Sequence, residues 1–526
     1  MDNRKYNIYF HTHTISGIII SAILYVIFFA GSFALFKNEI ANWQKNTSNS
    51  AVQKANIDFN QIVDSLHTAY NLYGRNVSIY AHPHSPRLRI NVSASKDTAN
   101  KKKGGFFYLN TKTQVKEEYK KSYDLGEFLY RLHFLAQVNG IAKFGFPLGY
   151  YIAGAVAFIF LFALFTGLLL HWKKIVSNFY VFRPWEKLKT VWTDLHTALG
   201  VISFPFLFVF AITGSYFLIS YPLFTKPTIT FNYGGKEDSL NAVLGSREHN
   251  IAFLQKPLNK KPDINAFIQK TIVPNKNAAL SLVAVENYGD QSMQVRVRTI
   301  LKTDKNIIGS GETIYEAATG NVLEMKNAER STSYADAVQG LMYNLHFGAY
   351  GGYTTKILYF LLGICGCVVI ISGVLIWQVA RDKKNISGKK RTFNAWMTNI
   401  YLAICLSMFP VTAATFIAVK FYPNGGTAFL YPFYFYCWLG LTVLLVLRKN
   451  IYKTNRDCML LGACIGIFVP VVNGLVTKNW LWHSYQKGYS DILLIDVFWL
   501  SLSVGAFVCW WLIVRKHDKR NASLRR

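Results

Sequence analysis

The residues of this chain best suited to chemistry are histidines that occur in matched pairs. His13 opens His13-Thr-Ile-Ser-Gly17 and His196 opens His196-Thr-Ala-Leu-Gly200, each at the head of a long apolar run. The match continues inside the runs, because Gly31 follows His13 by 18 residues and Gly214 follows His196 by 18. A second pair, in Leu132-His133-Phe134 and Leu345-His346-Phe347, stands shortly before two further apolar runs. An ionisable side chain at the edge of a membrane helix is costly without a partner, which makes each of these a functional candidate. Imidazoles that approach one iron from opposite sides are the chemistry this pattern suits. The four are read as axial ligands of two haems, His13 with His196 and His133 with His346.

Positioning them requires a membrane bundle. The chain has 526 residues, 51% hydrophobic and only 16% charged, a balance that fits a polytopic membrane protein better than a soluble enzyme. Eight runs are long enough to span a bilayer core as helices: about 15–36, 147–172, 198–221, 355–378, 395–420, 428–447, 457–476 and 491–514. Basic residues collect in alternate flanks. Arg4 and Lys5 precede the first run, Lys173, Lys174, Arg183, Lys187 and Lys189 follow the second, and Arg381 to Arg391 is basic after the fourth. Arg448 to Arg456 and the tail continue the alternation, whereas the loop from Phe421 to Thr427 carries no charge. Positive-inside reasoning then puts both termini in the cytoplasm. The net charge of +29 is therefore topological, and no nucleic-acid motif accompanies it.

The seven cysteines, Cys365 to Cys509, all fall in or beside apolar runs, which leaves no disulfide framework and no zinc site of Cys pairs. The N-terminal run lacks a usual small-residue cleavage site and reads as a retained span.

This topology sets the domains. Residues 1–36 hold the first span, 37–146 a first external domain, and 147–221 the second and third spans with a cytoplasmic loop. Residues 222–354 form a second external domain, 355–378 the fourth span, and 379–526 a C-terminal region of four helices. Alternating stretches such as Leu88-Arg-Ile-Asn-Val92 and Gln294-Val-Arg-Val-Arg298 predict small α+β domains. The ends of the two domains also match, Tyr108–Val115 against Tyr315–Val322. The first 380 residues are one helix-domain-helix unit used twice. The second copy is shorter after its Leu-His-Phe, by seven residues around Phe144 to Gly149.

Depth selects the pairs. The first and third spans run in the same direction, so His13 and His196 share a level, and His133 and His346 share the opposite one. Gly17 and Gly200, four residues on, lie on the histidine face and leave room for a flat macrocycle. A single interfacial histidine is more often a snorkelling or hydrogen-bonding side chain than a ligand, and it is the fourfold match that argues otherwise. His11 competes with His13 but lies about 200° from it around a helix. His171 ends the second run, where the fourth has Trp377, and either replaces a lower ligand or shapes that site. Ligands at opposite faces leave a long gap, which requires either deeper histidines or a bridging aromatic. His82-Pro-His84 is more simply a loop than a metal site, and Lys101-Lys-Lys-Gly-Gly105 a solvated turn. With Arg87, Arg89, Arg296 and Arg298 that turn makes the outer surface attractive to anions. The last four runs hold no histidine within a span. Scaffolding, dimerisation, or contact with a quinone or partner all remain open for them.

Over about residues 5–380 the chain resembles the PepSY-associated transmembrane-helix family, which includes iron-regulated inner-membrane proteins and siderophore reductases of bacteria. The resemblance rests on His13/Gly17 and His196/Gly200, on Leu345-His346-Phe347-Gly348, and on Ser372-Gly373 to Trp377. The first repeat departs from it in reading Leu-His-Phe-Leu-Ala, and the four C-terminal spans exceed the family's core. The resemblance implies periplasmic PepSY-like domains, two b-type haems in the bundle, and reduction of a ferric siderophore or other ferric chelate across the bacterial inner membrane. No flavin or nicotinamide fingerprint occurs in the chain, so the electron donor is expected to be separate, a quinol or a cytoplasmic reductase. Two other readings stand beside this one: a siderophore or peptide transporter whose histidines relay protons, and a regulator whose PepSY domains restrain a periplasmic peptidase.

Overall fold

All eight apolar runs are helices long enough to cross a membrane in the computed structural model: Asn3–Ala34, Leu148–His171, Leu188–Asn232, Gly352–Arg381, Gly388–Phe421, Gly426–Leu447, Ile451–Thr477 and Ser490–Asp518. They are numbered here as the first to eighth spans. The structure describes residues 2–48, 57–81, 87–97, 103–110, 116–141, 144–244, 251–275, 277–301, 307–329, 333–382 and 386–524. His82, His84, Lys101 and Lys102 lie outside the described residues. Two compact units emerge, a helical one of Met1–Ser48, Tyr123–Tyr221 and Thr354–Arg526, and another of Asn49–Ser122 and Pro222–Tyr353 that carries the sheet.

In the helical unit, small residues let the first four spans close on one another. A Cβ at Gly154 would collide with Ile219, one at Gly363 with Ser32, and one at Gly366 with Phe28. The other four spans meet this bundle directly, where Phe33 and Phe360 pack on Phe498 with ring centroids 5.6 and 4.4 Å apart, and through a short helix, Lys37–Lys45, that follows the first span. Its Trp43 is fully buried and donates its indole N–H to Asp496 Oδ1 at 2.8 Å. Asn473 Nδ2 donates to the other oxygen of Asp496 at 2.7 Å. Lys420 donates to the Trp43 carbonyl and stands 3.9 Å from the centre of its ring. Asn42 and Ser48 donate to Asp491 at 2.9 and 2.7 Å. Carboxylates this deep are tolerable only with such donors around them. These bonds tie the eighth span to the short helix that follows the first.

The second unit departs from expectation. Strands β1 (Val77–Tyr80), β2 (Arg87–Val92), β3 (Gly105–Asn110) and β4 (Lys116–Glu118) come from the first insertion. Strands β5 (Ala278–Glu286), β6 (Gln294–Leu301), β7 (Ser310–Glu316) and β8 (Val322–Lys326) come from the second. They form one sheet in the order β4-β3-β2-β1-β5-β6-β7-β8. Instead of two separate α+β domains there is a single antiparallel sheet, joined where Val77 faces Val285 and Ile79 faces Val283. Each half alone would leave β1 or β5 as an open edge of unpaired backbone groups, and pairing the two edges removes both. The boundaries move accordingly, because residues 37–48 and 123–146 belong to the helical unit.

Helices Phe59–Tyr70 and Ile264–Ile272 cover one face of the sheet, burying Ile62, Val63, Phe267 and Ile268 against Val77, Ile79, Val283 and Val285. Their first turns read Asp58-Phe59-Asn60 and Asp263-Ile264-Asn265, and each clasps the other. Asn265 accepts from Phe59 N at 3.0 Å and donates to Asp58 at 2.7 Å, while Asn60 accepts from Ile264 N at 2.8 Å and donates to Asp263 at 2.7 Å. Each asparagine thus serves the opposite helix's N-terminus. Replacing either by Ala is expected to cost about 1 kcal/mol. The double variant should cost less than the two singles added together, because both asparagines hold the same two helix N-termini together. Thermal unfolding of the full chain measures both.

Candidate functional site

In a helix, a side chain leans back over the turn before it, so residue i+4 covers the carbonyl of residue i. A glycine at i+4 uncovers that oxygen, and three histidines use this gap. His13 Nδ1 lies 2.8 Å from Ala163 O on the second span, four residues before Gly167. His196 Nδ1 lies 2.9 Å from Val369 O on the fourth span, four residues before Gly373. His133 Nδ1 lies 2.7 Å from Ile27 O on the first span, four residues before Gly31. A Cβ at Gly167 or Gly373 would stand 3.0 Å from the Cε1 of its histidine, and one at Gly31 would collide with the His133 ring.

A carbonyl accepts only, so in each case Nδ1 carries the proton and donates it. That makes Nε2 the unprotonated nitrogen, the tautomer a metal-ligating histidine requires. The His13 and His196 rings face each other with centroids 5.9 Å apart and planes at 73°. Two imidazoles that share one ion at nitrogen–metal distances of about 2 Å place their centroids roughly 6 Å apart. Among the described residues, no group of three or more His, Cys, Asp or Glu side chains is arranged to hold a metal ion. Two imidazoles at such a separation are what an iron already held by a macrocycle still needs. Gly17 and Gly200, one turn beyond the pair, have no protein atom within 4 Å of where a Cβ would stand. The residues present therefore fit a bis-histidine haem at this level.

Of the competing histidines, His11 is exposed with its ring against Phe10, centroids 5.7 Å apart. His171 is half-buried at the end of the second span, one turn past Gly167, and within electrostatic reach of His196, so it belongs to the surroundings of the lower pair. Arg183, from the loop between the second and third spans, grips Asp194 two residues before His196, with Nη2 to Oδ1 at 2.9 Å and Nε to Oδ2 at 3.0 Å.

His133 ends a helix, Leu125–His133, that is held on both flanks. Asp124 caps it by accepting from Glu127 N at 2.9 Å, and Glu127 pairs with Lys37 and with Arg131 at 2.7 Å. Phe128 packs against Tyr434 of the sixth span, ring centroids 4.8 Å apart. The C-terminal spans thus brace the helix that aims His133. Its acceptor, Ile27 O, lies 14 residues past His13, about 21 Å along the span. His133 consequently reaches some two turns inside the end of the first span at Ala34. Side chains lean toward their own N-termini, so Phe28 and Phe160 point at each other from antiparallel spans, 5.5 Å apart. Phe210 joins them at 6.2 Å from Phe28. His133 thus reaches deeper into the helical unit than its place before the second span suggests. His346 lies on Tyr334–Phe347, in the unit that carries the sheet, with its ring 5.3 Å from that of Phe347.

The accepting carbonyls were beyond sequence reasoning, since any residue supplies one. The glycines were the available signal, as Thr166-Gly167 and Ser372-Gly373 stand at matched places. One departure between the repeats also dissolves: Leu135, where the second copy has Gly348, adopts the same left-handed backbone, φ 57° against 60°.

A family model for the PepSY-associated TM region matches residues 10–380. No curated protein matches the chain.

Leucine in the left-handed region is strained by roughly 1 kcal/mol. Leu135→Gly is therefore expected to keep the fold and leave the midpoint of thermal unfolding unchanged or slightly raised, whereas Leu135→Val should lower it.

Proposed function

The chain belongs to the family of the PepSY-associated TM region, and from that premise we propose that it is a haem-b membrane reductase delivering electrons to a periplasmic ferric chelate. The observation that carries this reading is the pair His13 and His196, ring centroids 5.9 Å apart, each with Nδ1 engaged by a carbonyl of a neighbouring span. His13 and His196 would hold the lower haem. His133 and His346 would hold the upper one, where the assignment of His346 rests on the sequence repeat. The third span supplies a fourth glycine at the matching step, Gly214, four residues after Phe210.

When bound, haem b supplies one-electron exchange between ferric and ferrous iron. The protein's part is orientation and burial. The carbonyls of Ala163, Val369 and Ile27 fix each imidazole's tautomer and raise the basicity of Nε2. Gly167, Gly373 and Gly31 admit the rings, and the apolar spans keep water from them. Electrons from a quinol or a cytoplasmic reductase would enter at the His13 level and leave at the His133 level. The final acceptor is substrate iron, Fe(III) taking one electron to become Fe(II). Hard catecholate or hydroxamate oxygens hold Fe(II) less well, so reduction loosens the chelate.

Protein purified in mild detergent is expected to show sharp b-type bands in a dithionite-reduced minus oxidised spectrum, with about two haems per chain. His13→Ala and His196→Ala should each remove the same haem, and His133→Ala the other. Gly373→Leu, which displaces His196 from its carbonyl, should weaken the lower haem's binding roughly 10–100-fold. A flat spectrum after haem had been supplied during expression would overturn the reading.

A further inference from the structure

The two halves of the sheet repeat a pair of arginines, Arg87-Leu-Arg89 on β2 and Arg296-Val-Arg298 on β6, and the repeat exposes a difference. Cross-strand registers draw one row over all eight strands, in order Glu117, Tyr108, Arg89, Tyr80, Leu282, Arg298, Glu312 and Lys326. The row alternates with the buried positions Ile79, Ile90 and Val297, so it lies on the face opposite the two covering helices. In the second half the charges cancel. Arg298 bonds Glu312 through Nη2 at 2.7 Å, and Arg296 meets Glu286 at 3.0 Å. In the first half Arg87 has Glu117 at 3.8 Å, but the residue opposite Arg89 is Tyr108 where Arg298 has a glutamate.

Arg89 is exposed and, among the described residues, has no carboxylate within ion-pair range. Its guanidinium lies 4.1 Å from the centre of the Tyr80 ring. Beside it, Phe106, Tyr108 and Tyr119 form a triad with centroids 5.3–5.9 Å apart, and Phe106 is 45% exposed. The surrounding charge has the same sign. Residues 49–122 hold twelve Lys and Arg against five Asp and Glu, while residues 222–353 hold fourteen against twelve. On the Tyr334–Phe347 helix, partial desolvation raises the Tyr343 pKa and the nearby Arg89 charge opposes that rise. The guanidinium is thus within electrostatic reach of the helix that carries His346.

We propose that Tyr80, Arg89 and Tyr108, flanked by Phe106 and Tyr119, form a binding site for an anionic ferric chelate with aromatic catecholate rings. The assignment deepens the reductase reading and rests on it for the identity of the cargo. An uncompensated guanidinium pairs with catecholate oxygens, and the exposed rings of Tyr80 and Phe106 stack on catechol rings, backed by the half-buried Tyr108 under the Arg87 guanidinium and by Tyr119. A hydroxamate chelate, neutral and without rings, offers neither contact.

The test uses the full chain in detergent and gallium(III) tris-catecholate, which is redox-inert, so binding is read apart from reduction. Wild type should bind it, and Arg89→Gln should weaken binding at least about tenfold. Tyr80→Leu should weaken it less. Arg89→Lys should recover only part of the loss, because an ammonium keeps the charge but not the planar stacking. A gallium hydroxamate chelate should bind weakly and be indifferent to Arg89. Equal catecholate binding by wild type and Arg89→Gln, or equal Arg89 dependence for gallium citrate, would overturn the assignment. Absent haem bands with intact Arg89-dependent binding would sink the reductase reading alone. Normal haem reduction with no such binding would sink this site alone.

Discussion

Everything in the helical unit depends on an exchange between a side chain and a backbone. A span's carbonyls are already engaged within the helix, and in a bilayer there is little else to satisfy a buried imidazole N–H. Removing one Cβ, at Gly31, Gly167 or Gly373, opens a carbonyl to a second donor from a neighbouring element. The histidine gains a fixed tautomer and direction, and the two elements gain a directional bond that pins their register. One contact thus serves packing and site geometry together. This explains why the glycine and the histidine come from different elements.

The C-terminal spans extend the same logic to charge. Trp43 gathers Asp496 at its indole nitrogen and Lys420 over its ring and at its carbonyl, while Asn473 completes the carboxylate's partners. Gln44 of the same short helix accepts from Leu125 N at 2.8 Å, linking it to the helix that carries His133. A bundle without haem-ligand candidates of its own therefore sets the position of an element that has one.

Eight apolar runs, their alternating basic flanks and the matched histidines were legible because each has a signature confined to a short window. Periodicity and hydropathy read one segment at a time. The pairing of β1 with β5 was hidden for that reason: nothing in Val77-Ser-Ile-Tyr80 names Leu282–Val285 as its neighbour. The Asn60/Asn265 clasp was hidden too, although both helices start with Asp-x-Asn, since N-cap patterns point to a helix start and not to a partner. The Leu135 turn misled in the opposite way. A leucine argues against a left-handed backbone, and only packing around the Leu125–His133 helix overrides that preference.

The seam between β1 and β5 also sets a clock. Tyr80 and its partner Leu282 are 202 positions apart in the chain, a stretch that includes the second and third spans. At a synthesis rate of about 5–20 residues per second, β1 is made roughly 10–40 s before its partner exists. During that interval the first half-sheet carries an open edge, the kind of surface that pairs with stray strands. The newborn chain cannot close its sheet until two more spans have been made, so completion of the unit that carries the sheet waits on synthesis of half of the first four-span bundle.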